Sequence, residues 1–89
     1  MGKLLLVGCG KMGGAMLDGW LRRGLKATDV VVAEPVEAIR PKHAGLRVVA
    51  SSTEVAETPE IAILAVKPQS MDATLTDLRR FADAGTVFL

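Results

Sequence analysis

The sequence predicts an α/β fold, an open parallel sheet of strand order 3-2-1-4-5 with helices packed on it. Three observations predict it. Short runs of Val, Leu, Ile and Ala alternate with longer stretches of helical periodicity. The first run passes directly into a glycine-rich turn that opens a helix. Apolar residues make up 49% of the 89-residue chain and aromatic ones only 3%, the composition of packed parallel strands and their helices.

The elements follow in order. Lys3 to Val7 is a continuous apolar run closed by Gly8, which suits a strand buried on both faces. From Lys11 to Arg23, Met12, Met16 and Trp20, with Ala15, Leu17 and Leu21 beside them, recur at helical spacing, while Lys11, Asp18, Arg22 and Arg23 take the other face. These methionines and the tryptophan are therefore expected in the core. Gly24 after two arginines stops the helix. Val30 to Ala33 is the second strand, bounded by Thr28-Asp29 and Glu34-Pro35. A short helix is expected over Val36 to His43, with Pro41 inside it restricting Arg40.

Arg47 to Ala50 forms a brief third strand. Ser51, with Glu54 three residues on, makes a capping box that opens one helical turn, stopped by Thr58-Pro59. Ile61 to Val66 is the fourth strand, ended by Lys67-Pro68. Met71, Leu75, Leu78 and Ala82 mark the apolar stripe of a second helix, with Asp72 and Asp77 early, Arg79 and Arg80 late, and Gly85 beyond. Thr86 to Leu89 opens a fifth strand, and the chain ends inside it. The 89 residues are thus expected to be one domain of something larger.

Several function classes are excluded. Eleven basic and ten acidic side chains give a net charge of +1 and are scattered, which argues against nucleic acid as a partner. No apolar stretch approaches the roughly 20 residues needed to cross a bilayer, and the first run is too short for a signal sequence. A cytoplasmic protein with no membrane contact is expected. One cysteine and one histidine supply no metal-ligand set and no disulfide.

The chemistry lies in Gly8-Cys9-Gly10-Lys11-Met12-Gly13, a GxGxxG pattern placed between a predicted strand and a predicted helix. This is the arrangement of a Rossmann-type dinucleotide-binding turn. Gly8 permits the tight turn, Gly10 lets the pyrophosphate approach the backbone, and Gly13 lets the helix lie close to the sheet. Amide hydrogens between Val7 and Met12 are expected to be free and aimed at the anion. Glu34 closes the second strand twenty-one residues after Gly13, near the spacing at which a carboxylate accepts from the 2′-hydroxyl of the adenosine ribose. That favours NAD, with Arg40 and Lys42 just downstream able to approach a 2′-phosphate instead.

Two segments, Leu6 to Leu21 (Leu-Val-Gly-Cys-Gly-Lys-Met-Gly-Gly-Ala-Met-Leu-Asp-Gly-Trp-Leu) and Ala65-Val-Lys-Pro-Gln69, resemble the N-terminal domain of pyrroline-5-carboxylate reductase, the second being the more specific. The resemblance covers this whole chain and the front third of such an enzyme. It implies reduction of the C=N bond of 1-pyrroline-5-carboxylate to L-proline by hydride from NADPH or NADH, in proline biosynthesis. By motif, Gly8, Cys9, Gly10, Lys11, Met12 and Gly13 would hold the pyrophosphate and Glu34 the ribose. Ser52 would lie beside the adenine-ribose end, and Ala65, Val66, Lys67 and Pro68 would border the nicotinamide. NADP-preferring relatives tend to carry a small hydroxyl residue where this chain has Glu34. The family's C-terminal helical domain, which makes the homo-oligomer and the site for the imine substrate, is absent, so the resemblance implies a fragment inactive alone, with no catalytic residue among the 89.

Other side chains are given ordinary roles. Cys9 is read as a small spacer in the turn, Lys67 as a backbone contact, and His43 as a solvated loop residue. Rival readings are the cofactor domain of a β-hydroxyacid or F420-dependent NADP oxidoreductase, against which Lys67-Pro68-Gln69 weighs, and a dinucleotide-sensing module without chemistry.

Overall fold

A computed structural model describes residues 4–89. The five strands are β1 (Leu4–Val7), β2 (Val30–Ala33), β3 (Arg47–Val49), β4 (Ile61–Leu64) and β5 (Val87–Phe88). They form one sheet in the order β3-β2-β1-β4-β5, as the alternation of elements predicts. Every pairing is parallel, and β1 sits in the middle, with Leu4 opposite Val30 on one side and Ile61 on the other. Lys3, read as the start of the first strand, lies outside the described residues.

Helix α1 (Lys11–Arg22) and helix α2 (Met71–Asp83) cover opposite faces. The alternation of side chains along the strands shows it. Leu6, Val30 and Val32 meet Leu17 of α1, whereas Leu5, Val7, Val31, Ala33 and Ala62 meet Leu78 and Phe81 of α2. Leu17, Leu78 and Phe81 are each 1% exposed, and burial of such a side chain contributes about 1.5–3 kcal/mol. Gly24 takes the φ of 104° that lets the chain leave α1.

Five boundaries differ from the sequence reading, the first three for a local reason. Only a 310 turn, Glu37–Ile39, forms where a helix over Val36 to His43 was expected. Pro41 holds Arg40 in an extended conformation at ψ 134°, so the turn cannot propagate. β3 ends at Val49 because Ala50 donates its N–H to the Glu54 carboxylate. The Ser51–Glu54 capping box is present, but its helical turn spans only Ser52–Glu54 and stops at Val55, which turns inward to the core. β4 ends at Leu64, and β5 is confined to Val87–Phe88.

Four apolar residues read onto the inward helix faces are exposed, Met12, Ala15, Leu75 and Ala82. Met12 is 70% exposed. The line of α1 that touches the sheet runs through Gly13 and Leu17, and Met12 stands about 100° round the helix from Gly13. Leu75 is 45% exposed for a similar reason. The buried side of α2 runs through Leu78 and Phe81, which rotates the helix away from Leu75 and brings half-buried Thr74 inward.

Candidate functional site

The carboxyl ends of β1 to β4 enclose a groove of about 500 Å³, a volume suited to a small-molecule ligand. A parallel sheet whose crossovers leave in opposite directions from its central strand opens such a crevice there. A second depression of about 610 Å³ is lined mainly by Leu4, Trp20, Leu25, Ile61 and Ile63, away from the glycine turn. It offers Arg23 as its single charged group. Of these two, the first is the one in which polar groups converge.

The floor of the groove is the turn after β1. Gly8 has φ 92°, and a Cβ there would lie 2.8 Å from the carbonyl oxygen of Ala65. The turn therefore presses against the end of β4 and requires glycine. At Gly13 a Cβ would lie 2.5 Å from Gly8 O, so α1 starts in direct backbone contact with the turn. Gly10 behaves differently: nothing lies within 4 Å of its hypothetical Cβ, and it faces the groove.

Gly10 is the N-cap of α1, with no side-chain cap and no acidic residue in the first turn. The helix ladder begins with Gly14 N–H donating to Gly10 O at 2.8 Å, so the amides of Lys11, Met12 and Gly13 precede it. Such amides, together with the helix dipole, can receive an anion.

The expectation of free amides from Val7 to Met12 needs correction. Gly8 N–H donates to Ala33 O at 2.8 Å, tying the turn to β2. Cys9 N–H donates to Glu34 Oε1 at 2.6 Å. The donors open to a ligand thus begin after Cys9. Pattern reading missed the Cys9 bond because Glu34 is 25 residues away in sequence and reaches the turn only through the register of β1 with β2.

Glu34 is 4% exposed, and its second oxygen accepts from Val36 N–H at 2.9 Å. Both carboxylate oxygens are thereby anchored to backbone, while the residue still lines the groove. Arg40 does not reach into it. Its Nε donates to Glu34 O at 2.8 Å and its Nη2 to Pro35 O at 3.3 Å, so the guanidinium braces the end of β2.

Of the candidate residues, the groove gathers Gly8, Gly10, Glu34, Ser52, Ala65, Val66 and Lys67. Cys9, Lys11, Met12, Gly13 and Pro68 do not line it. Cys9 is 5% exposed and packs with Leu17 on the α1 side. Burial first, then Glu34 and Asp18, push its thiol above the ordinary range, which leaves it neutral and a poor nucleophile. His43 is exposed, as expected of a loop histidine. Among the described residues no cluster of metal-ligating side chains occurs, and no helix is long and apolar enough to cross a membrane.

Sequence reading also missed the wall supplied by α2. Thr74 and Asp77 line the groove because Phe81, not Leu75, sets the buried side of that helix. An aromatic three residues beyond Leu78 was the available signal. The opposite corner is fixed by Arg80, whose Nη2 donates to Ser52 O at 2.8 Å and Val55 O at 2.9 Å, holding the turn that carries buried Ser52.

Comparison with known proteins supports the fold and shows the family. The family described as "NADP oxidoreductase coenzyme F420-dependent" matches residues 3–88. Lys67-Pro68-Gln69 therefore does not set the chain apart from that family. A pyrroline-5-carboxylate reductase of Methanosarcina acetivorans is 31% identical over 81 residues, covering 86% of this chain and 30% of that protein. The Mycobacterium leprae protein of the same name is 34% identical over 80 residues, covering 88% of this chain and 27% of its own length. The chain thus spans less than a third of these relatives. The crystal structure of Plasmodium falciparum pyrroline carboxylate reductase with NADP bound superimposes with a TM-score of 0.77 at 24% identity, over 97% of this chain and 31% of that one. A conserved hypothetical protein from Pyrococcus furiosus, 18% identical, gives 0.68 over 99% and 91%. Both likenesses speak to the fold.

Proposed function

The chain belongs to the family of NADP oxidoreductases just described, and from that premise we propose that it is the nicotinamide-dinucleotide-holding domain of an enzyme that reduces 1-pyrroline-5-carboxylate to L-proline. The relatives named for that reaction support the substrate. Proline biosynthesis in the cytoplasm, and a homo-oligomer assembled through a further helical domain, belong to the same reading. The alternation of a glycine that the fold requires and a glycine it does not carries the proposal. Gly8 and Gly13 are dictated by backbone contacts, whereas the space over Gly10 at the start of α1 has no packing reason. Room for an anion explains it.

The dinucleotide would supply the hydride for the C=N bond. The chain's own residues bind and orient. The amides at the start of α1 hold the pyrophosphate, Glu34 and Ser52 border the ribose and adenine, and the segment Ala65 to Pro68 borders the nicotinamide at the end of β4. Lys67 is read here as a backbone contact to the cofactor, and in this reading proton transfer to the imine belongs to the further helical domain. The test is an amide-resolved titration of the 89-residue protein with NADH. Perturbations centred on residues 8–13 are expected, with no oxidation of NADH when pyrroline-5-carboxylate is added. Turnover by this chain alone, or binding centred elsewhere, would refute the reading.

A further inference from the structure

We propose that Glu34 makes this groove select the dinucleotide with a free 2′-hydroxyl, NAD(H), over the one with a 2′-phosphate. The inference rests on the reading that the groove holds a nicotinamide dinucleotide. It runs against the cofactor in the family's description and rests on how each part of NADP fits the residues present.

The pyrophosphate fits the open backbone at Gly10 and the unpaired amides of α1. The 2′-phosphate does not fit. Near neutral pH it is largely a dianion and presents only acceptor oxygens, so it calls for arginine or lysine. The carboxylate of Glu34 stands at the end of β2, where the adenosine ribose of a dinucleotide lies across such a sheet. A carboxylate accepts and does not donate, so toward a 2′-phosphate it offers like charge and an acceptor facing acceptors. Toward a hydroxyl it retains lone pairs beyond those used by Cys9 and Val36.

The carboxylate cannot turn away to admit the phosphate. Its two oxygens accept from Cys9 N–H at 2.6 Å and Val36 N–H at 2.9 Å. Swinging it out would leave a buried amide of the glycine turn unpaired. The neighbouring Arg40 and Lys42 do not line the groove. Arg40 is clamped on the carbonyls of Glu34 and Pro35. Among the described residues the other charged groups lining the groove are Asp77 and Lys67, and Lys67 follows β4, separated from β2 by the central strand.

Calorimetric titration of the unmodified protein with NADH and with NADPH, at low and at high salt, decides the matter. NADH is expected to bind at least about fivefold more tightly, about 1 kcal/mol, with the difference shrinking as salt screens the repulsion. A smaller preference, or one for NADPH, overturns the inference and leaves the dinucleotide reading intact. Failure of both to bind removes that reading and this one with it. In Glu34→Gln the charge is gone and an oxygen remains to accept from Cys9, so the two affinities should come within about twofold. A melting curve of the variant establishes that it is folded, and an unchanged preference in the folded variant overturns the role given to Glu34.

Discussion

At the scale of single residues, the three glycines of the turn have separable duties. Gly13→Ala puts a methyl 2.5 Å from Gly8 O, a backbone atom that cannot yield without moving the turn. A loss of about 1–3 kcal/mol is expected. Gly8→Ala adds the strain of φ 92° to an overlap with Ala65 O, so it should be the most damaging of the three. Gly10→Ala meets nothing and should lose no more than about 1 kcal/mol, the difference between glycine and alanine at an N-cap. Its methyl occupies the space argued to belong to a phosphate, so dinucleotide affinity should fall by about tenfold or more, on the order of 1.4 kcal/mol. Melting curves and dinucleotide titrations of the three variants check this. Retained affinity in Gly10→Ala would remove the reason given for that glycine.

Among the elements, legibility in the sequence depended on how local the cause was. Val30–Ala33 is a β-branched run with turn residues at both ends, and β2 occupies those four positions. The box between Ser51 and Glu54 is a three-residue signal, and it forms. Failures arose where a partner distant in sequence decided. The face of α2 depends on where the sheet meets it, and Phe81 settled that against Leu75. The Glu34 carboxylate was legible as a group at the end of β2, but its grip on Cys9 comes from the pairing of β1 with β2. Arg80, read only as a helix-ending cation, proves to bridge two elements. Its bonds to Ser52 O and Val55 O couple α2 to the turn after β3. Arg80→Ala should cost about 1–3 kcal/mol, as for hydrogen bonds from a charged donor, and should accelerate amide exchange in residues 52–55 more than in β1. Uniform acceleration across the sheet would show that Arg80 supports the whole fold and not that corner.

For the whole molecule, strand order was legible because right-handed crossovers leave few ways to arrange alternating strands and helices. What holds the sheet is a thin core on each face in a chain of 89 residues, so stability sits at the low end of the range for domains. Phe81→Ala alone, at about 3–5 kcal/mol, should bring the protein close to its unfolding midpoint at room temperature. The candidate groove is bordered by the ends of β1, β2, β3 and β4, that is, by both halves of the sheet. A ligand seated across all four is lost when any of them opens, so its binding energy adds to global stability and not to one loop. At a free concentration a hundred times its Kd, a dinucleotide should add about 2.7 kcal/mol and raise the Tm by roughly 10–20 °C. The same ligand should return Phe81→Ala to a largely folded state, because it opposes a core defect it never touches. Thermal melts with and without ligand test both. Binding that leaves the Tm unchanged would mean that the ligand holds equally well to unfolded chain, and a site assembled from four strand ends could not do that.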